Sequence, residues 1–506
     1  MNTNEISESS HKVPERIHIA PKLQISRIVT GLWQVADMEK EGTDLDVDIA
    51  AQAMLDYFQA GFTTFDMADH YGSSELITAH FLSKLQQNSA DTNILRPEIF
   101  TKWCPKPKDM TASVVNAGVE ERMERLNVDI IDLLQFHWWN YEHPEYLNAL
   151  NELEKLRRNG LIANLGLTNF DTDHLRLILD NGVHVATNQV SLSLIDQRAA
   201  GRMTELCLAR NVSILAYGTL CGGFLTDRWV GIPESEMLAI TDWSKMKYGR
   251  FIQSFGGWEK FQVLLEALVE ISHKYGVSVA NVATRWVIEQ PAVSAVIVGA
   301  RLGERQHRKN NIDLFSFALD ADDYECIDRA MVGSIKIPRD CGSEYRKPPF
   351  LTASGDLSHH LDSIENGYTK SKSTDYPNRS WVSSNTLWEK TGGFARAVRK
   401  GQHIFVSGTT ATDLDGQKIS ESSVEGQAVF ILDKIIAAVR ALGGSERDIT
   451  RTRIYITDEK YWEAITATHG RYFSDVLPAN TLVVVDSLIG NYEVEIEAEA
   501  VVSNDI

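Results

Sequence analysis

Asp66 stands five residues before Tyr71 in Phe65-Asp66-Met67-Ala68-Asp69-His70-Tyr71-Gly72, directly after the apolar run Gly61-Phe62-Thr63-Thr64-Phe65. Two later apolar runs also end in a single titratable residue: Glu98-Ile99-Phe100-Thr101 leads to Lys102, and Ile130-Ile131-Asp132-Leu133-Leu134-Gln135-Phe136 leads to His137. Together the four side chains suit a specific chemistry. A tyrosine can protonate a carbonyl oxygen as hydride reaches the carbon, but a phenol with a pKa near ~10 is a slow acid at neutral pH. A lysine cation beside it stabilises the phenolate and lowers that pKa. An aspartate fixes the lysine, and a histidine orients the substrate oxygen. Singly, each residue has a plainer reading: Asp66 caps a turn, Tyr71 packs under a loop, Lys102 is solvated, His137 sits in the core. The ordered occurrence of all four at strand ends favours the catalytic reading.

Such residues converge only if successive parallel strands close into a barrel, whose loops after the strands share one face. The chain has the required alternation from about Ile25 to Ala330. Strand-like runs at Phe62–Phe65, Ile99–Trp103, Ile130–Phe136, Ile162–Leu167, Val185–Val190, Ser213–Ala216 and Ala295–Val298 are separated by amphipathic stretches such as Ile49–Ala60, Thr111–Leu126 and Tyr146–Asn159. The last of these ends Arg157-Arg158-Asn159-Gly160, a basic final turn and a stopping glycine. Alternating β and α elements imply a parallel sheet, covered on both faces where the strands are apolar throughout. Pattern alone does not separate a barrel from an open doubly wound sheet. The absence of G-x-G-x-x-G after the first strand weakens the open dinucleotide fold.

The chain has 506 residues, 43% of them hydrophobic and 24% charged, which suits a globular protein of about two or three domains. A net charge of −19 argues against nonspecific nucleic-acid binding and against an anionic membrane surface. The five cysteines are scattered and form no C-x-x-C pair, so neither a disulfide scaffold nor a metal site is expected. The first ten residues are polar and no apolar run approaches the ~18 residues of a membrane helix, so a cytoplasmic location is expected. From 336 to 384 the periodicity breaks at Pro348-Pro349, His359-His360 and Ser371-Lys372-Ser373-Thr374, which reads as a linker after a barrel over 20–335. The remainder, 385–506, reads as a compact α+β domain. It has a hairpin around Lys400-Gly401, a helix with apolar residues at 424, 428, 431, 432, 435, 436, 439 and 442, and then strand, helix and two strands.

In these motifs the first ~340 residues resemble the aldo-keto reductases, (β/α)8 TIM barrels that use nicotinamide cofactors, usually NADPH. Asp66, Tyr71, Lys102 and His137 match the family's catalytic positions. Gly166-Leu167-Thr168-Asn169-Phe170 matches its Gly-x-Ser-Asn-Phe element, with threonine for serine. The resemblance implies that Thr168, Asn169 and Gln189 hold the nicotinamide carboxamide and that Tyr217 stacks on the ring. The family's adenosine-phosphate clasp matches Val298-Gly299-Ala300-Arg301-Leu302-Gly303-Glu304-Arg305, continuing to Asn310-Asn311. Gly299, Arg301, Arg305 and Asn311 are therefore the remaining cofactor candidates. The two arginines could pair bidentately with a 2′-phosphate, or could be a solvated basic helix start. Met67 replaces the family's threonine, read as a packing change. Trp33 and Trp138 are expected to line an aromatic substrate pocket.

The C-terminal ~120 residues resemble the RidA (YjgF) family of trimeric chorismate-mutase-like domains, which hydrolyse enamine and imine intermediates. The matching residues are Ile404-Phe405-Val406-Ser407-Gly408, Pro478-Ala479-Asn480-Thr481 and Val494-Glu495-Ile496-Glu497-Ala498. Asn480 stands where active members carry a carboxylate-binding arginine, so the resemblance implies a module without deaminase activity that binds a ligand or assembles the chain as a homo-oligomer. The combined expectation is an oxidoreductase that transfers a hydride between NADP(H) and an aldehyde, a ketone or the corresponding alcohol or sugar. The different-class alternative is a noncatalytic nicotinamide-binding sensor or scaffold.

Overall fold

The computed structural model of the protein describes residues 13–35, 46–88, 96–241, 243–303, 307–346, 367–384, 386–413, 416–420 and 423–503. The chain opens with a hairpin, β1 Arg16–Ala20 and β2 Leu23–Ser26. Eight parallel strands follow: β3 Ile28–Gly31, β4 Thr64–Asp66, β5 Glu98–Trp103, β6 Leu133–His137, β7 Leu165–Thr168, β8 Thr187–Ser191, β9 Ser213–Tyr217 and β10 Val293–Gly299. They close in sequence order, with β10 pairing both β9 and β3. Every residue of β3 to β8 is buried, as strands with side chains inside a barrel and helices outside it require. Closure therefore decides the question that the alternating pattern left open. The hairpin is an addition to the expected barrel. Its Ile19, Leu23 and Ile25 pack with Val29, Phe100, Leu133, Leu215 and Ala295 to plug the N-terminal end.

The helices between strands begin where short polar side chains can satisfy free backbone N–H groups. Asp46 accepts from Asp48 N at 2.8 Å and Ile49 N at 3.2 Å before Val47–Gln59. Thr111 caps Ala112–Leu126, and the basic last turn of Tyr146–Arg158 ends near Gly160, whose φ of 84° suits only glycine without strain.

The stretch expected as a linker is structured at both ends. Residues 337–346 pack on the barrel mouth, and Thr369–Lys372 and Arg379–Ser383 form β11 and β12 of the second domain's sheet. β11 is Thr-Lys-Ser-Lys, with no apolar residue, and β12 is Arg-Ser-Trp-Val-Ser, with apolar residues only at Trp381 and Val382, too few to show a period in the sequence. That sheet continues with β13 Ala397–Lys400, β14 His403–Thr409, β15 Ile449–Ile456, β16 Ala479–Val484 and β17 Val494–Val501, in the order β11-β12-β13-β14-β17-β15-β16. Gly401, at φ 63°, makes the expected β13–β14 turn.

Helices Val424–Ala441 and Trp462–Phe473 cover one face of the sheet. Burial of Phe430, Ile431, Leu432 and Ile435 along the first helix contributes roughly 1.5–3 kcal/mol per side chain. The same helix packs against barrel helix Thr172–Asp180, so the two domains share one apolar core. Among the described residues no helix is long and apolar enough to cross a membrane.

Candidate active site

The C-terminal ends of the barrel strands surround a cavity of about 760 Å³. Asp66 ends β4, Lys102 lies in β5 and His137 ends β6, so strand order alone brings the three together. Tyr71 comes from the loop after β4. That loop is held against β5 by Met67 N to Phe100 O at 2.9 Å and Asp69 N to Lys102 O at 3.1 Å, before a tight turn leads into helix Ser74–Asn88. All four expected catalytic residues line the cavity.

Lys102 Nζ donates to Asp66 Oδ2 at 2.5 Å and to Met67 O at 3.1 Å, and lies 5.0 Å from the centroid of the Tyr71 ring. Asp66 and Lys102 are both nearly inaccessible to solvent. Gln135 and Gln189 donate to the other Asp66 oxygen at 2.7 and 3.0 Å, so the carboxylate is fixed on both sides. Removing one partner of such a buried pair leaves an uncompensated charge, at a cost of about 3–5 kcal/mol. The Tyr71 ring meets Trp33 edge-on at 4.9 Å and His70 at 4.8 Å. Asp69 orients His70 through Nδ1 at 2.8 Å and accepts from Cys104 N at 2.9 Å. Burial pushes the Asp69 carboxyl up, but His70, the Cys104 N–H and Arg122 outweigh it and hold it below the usual carboxylate value.

His137 is buried, and its Nε2 has no hydrogen-bond partner among the described residues. Burial first, and then the cations Arg346, His70, Lys102 and Lys247, hold its pKa well below 6.5. The imidazole is therefore neutral at physiological pH and suited to donate a hydrogen bond to an oxygen.

Of the remaining candidates, Trp33, Asn169, Gln189, Tyr217, Gly299, Arg301 and Asn311 line the cavity. Tyr217 donates its hydroxyl to Asn169 Oδ1 at 2.8 Å. Gln189 turns its amide nitrogen toward Asp66 and Gln135. Arg301 Nε reaches Gln34 Oε1 at 3.3 Å. Asn310 also lines the cavity, and its side-chain oxygen accepts from Ser278 and Asn281. Thr168 is buried and does not line the cavity; its Oγ1 has no partner among the described residues. Trp138 likewise stays out of the pocket. It is fully buried, stacks on Phe136, and donates Nε1 to Asn140 O and His143 O. Arg305 lies outside the described residues. Met67 is a core side chain whose sulfur accepts from the Thr78 hydroxyl at 3.2 Å.

The structure adds residues the sequence did not reveal. Lys247, from helix Trp243–Phe255, donates to the Tyr345 hydroxyl at 2.7 Å and lies 5.3 Å from the Tyr217 ring centroid. Tyr345 meets the His137 ring at 5.9 Å and Trp139 at 5.4 Å. Glu344, fully buried beside it, pairs with Arg198 at 2.7 Å. The only sequence cue was the short cluster Glu344-Tyr345-Arg346, inside a stretch with no period.

The site fits a nicotinamide dinucleotide on its own chemistry. The cavity is lined from Tyr71 and His137 to Arg301, His307 and Asn311, and its basic residues Arg228, Lys245, Lys247 and Arg301 outnumber the lining carboxylate Asp227 that is left once Asp66 is paired with Lys102, which suits a diphosphate. The buried unpartnered donor at His137 marks where a substrate oxygen can be held.

A closed (β/α)8 barrel with this Asp, Tyr, Lys and His set at its C-terminal face defines a reductase-type barrel. Residues 27–331 match the Aldo/keto reductase family, and the chain belongs to it; its members are oxidoreductases that use nicotinamide cofactors. Residues 384–502 match the family described as Endoribonuclease L-PSP. The chain is similar to the NADH-specific methylglyoxal reductase of Escherichia coli, at 24% identity over 59% of this chain and 93% of that one. Its fold is similar to that of a glycerol dehydrogenase from Gluconobacter oxydans, with a TM-score of 0.50 and 23% identity over 65% of this chain and 98% of that one. A Mycobacterium tuberculosis member of the YjgF/YER057c/UK114 family is 34% identical over 24% of this chain and 99% of its own, with a TM-score of 0.23.

Proposed function

We propose that the barrel interconverts an aldehyde or ketone and the corresponding alcohol, with Tyr71 as the proton donor and acceptor. The observation that carries this reading is the buried Asp66–Lys102 pair beside Tyr71, facing a neutral His137 across one cavity. A nicotinamide held along the cavity by the residues that line it would supply or accept the hydride. The chain's own residues do the rest. His137 donates Nε2–H to the carbonyl oxygen and holds it near the phenol. Tyr71 delivers its proton to that oxygen in reduction and recovers it in oxidation. The Lys102 cation favours the phenolate left behind, and Asp66 with Gln135 and Gln189 keeps the ammonium in place. Trp33 and Tyr345 give the substrate end an aromatic wall suited to an apolar or ring-bearing carbonyl.

We further propose NADP(H) as the preferred nucleotide, through Arg301 and Arg305. Support comes from the exposed Arg301 guanidinium at the outer end of the cavity. The NADH-specific relative shows that this preference varies within the family, so it needs its own measurement. The test of the main reading is NADPH and NADH oxidation across a carbonyl panel, with the reverse alcohol assay in parallel. Nucleotide binding without turnover in either direction would overturn it.

For the second domain we propose assembly without imine hydrolysis. Asn480 donates to Thr452 Oγ1 at 2.9 Å and brings no cation. Glu497 is paired with Arg453 at 2.8 Å. The sheet face opposite the helices leaves Phe405 50% and Val483 42% exposed, apolar surface that a second and third copy could cover.

A further inference from the structure

One of the contacts between the second domain and the barrel, Asp433 to His174, leads toward the nicotinamide end of the cavity. Asn169 directly follows β7 with φ 58°, a left-handed conformation that asparagine adopts more readily than most residues, and its carbonyl is tied down by neighbours. Arg346 is one of them: its Nη1 donates to Asn169 O at 2.7 Å and its Nη2 to Trp138 O at 2.6 Å. Arg346 directly follows Tyr345, so the same guanidinium anchors the strap that places Tyr345 against His137. It lies on the ring of Tyr141, with Cζ 4.1 Å from the centroid.

His174 stacks on Tyr141 at 3.4 Å with an interplanar angle of 11°. One face cannot hold both groups at these distances, so Tyr141 is sandwiched between Arg346 and His174. The imidazole is bridged in turn by two carboxylates: Asp171 Oδ1 at 2.7 Å from Nδ1, and Asp433 Oδ2 at 2.8 Å from Nε2. Asp433 belongs to helix Val424–Ala441 of the second domain, and Tyr472 donates to its other oxygen at 2.8 Å. Burial would discharge His174, but Asp171 and Asp433 together pull its pKa up to about 9, so the ring is a cation against the Tyr141 face.

We propose that Asp433 is a positioning residue for the barrel's chemistry: it holds His174, which through Tyr141 and Arg346 fixes the Asn169 loop and the Tyr345 strap. The second domain thus completes the cofactor end of the barrel as well as extending the chain. The inference rests on the reading that this cavity takes a nicotinamide nucleotide.

The test uses full-length variants and two readouts. In Asp433→Asn the bridging charge is lost at nearly constant volume. NADPH and NADH should each bind about fivefold to tenfold more weakly in fluorescence titrations, and the backbone amides of residues 340–346 should exchange faster with solvent. Tyr141→Leu removes the sandwiched ring while leaving Asp433 in place, and should reproduce both changes. Arg440→Ala breaks a different interdomain contact, Arg440 to Glu142 at 2.5 Å, and should leave both readouts as in wild type. Wild-type affinity and exchange in Asp433→Asn and Tyr141→Leu would overturn the proposal. So would equal changes in Arg440→Ala, which would make the effect one of general domain docking. If the wild type binds neither nucleotide, the functional reading fails, while the exchange comparison still decides the positioning role.

Discussion

Replacing Tyr71 with phenylalanine removes one hydroxyl and little else. The ring is held by Trp33 at 4.9 Å, by His70 at 4.8 Å and by the Lys102 ammonium 5.0 Å from its centroid. None of these contacts needs the oxygen. These ring contacts survive the substitution, so the variant should remain folded with its site in place. The chemical step should change strongly. Loss of a positioned general acid typically costs about 10²–10⁴ in rate, or roughly 2.7–5.4 kcal/mol of barrier. His137 still polarises the oxygen in this variant, so a residual rate should persist. The assay is kcat and KM by nucleotide absorbance on the best carbonyl of the panel, with nucleotide affinity and Tm measured alongside. A fall in kcat with affinity and Tm unchanged locates the hydroxyl in the transition state. A kcat within about threefold of wild type would refute the assignment of the acid.

The other expectations concern single groups. Arg301→Ala should shrink an NADPH over NADH preference by at least about tenfold through weaker NADPH binding, since one charge-assisted phosphate contact contributes ~1.5–3 kcal/mol; equal wild-type affinities would sink the idea. His137, held well below 6.5, stays neutral as pH falls through the ordinary histidine value. The pH profile of kcat/KM should thus show no acid limb near 6.5 that His137→Gln abolishes, and such a limb would mean the imidazole titrates normally. Wild-type protein should hydrolyse a 2-imino acid no faster than buffer, whereas Asn480→Arg should gain a rate; fast wild-type hydrolysis would show that another cation replaces the missing arginine.

Much of the site was legible because a closed barrel converts order into proximity. Asp66, Lys102 and His137 are 36 and 35 residues apart along the chain, yet each ends or nearly ends a strand, and neighbouring strands in register bring them to one rim. The same logic placed Asn169, Gln189 and Tyr217 at the mouth. It failed for Trp138, because adjacency in sequence to His137 does not fix direction. Leaving the strand, the chain turns this indole toward Phe136 and Tyr146, where burial of a large aromatic and two carbonyl acceptors outweigh exposure at the rim.

The illegible part lies in pairings that no local pattern encodes. Glu344, Tyr345 and Arg346 sit in a stretch without helical or strand period, and their partners Arg198, His137 and Asn169 are each well over a hundred residues away. A buried Glu344 is tolerable because Arg198 pairs with it and Lys247 lies close by. Burial would raise the carboxyl, but the Arg198 guanidinium and then the Lys247 ammonium outweigh it and pull its pKa down to about 2. Charge therefore fixes the strap where apolar periodicity could not. The same holds at the domain boundary, where His174 looks in sequence like an ordinary helix residue three positions after its cap Asp171. Only the docking of the second domain gives it Asp433, and with that partner a solvent-screened cap becomes a buried triad. An ion pair assembled from two domains depends on both being present, so the barrel's cofactor end should be read as a property of the whole chain.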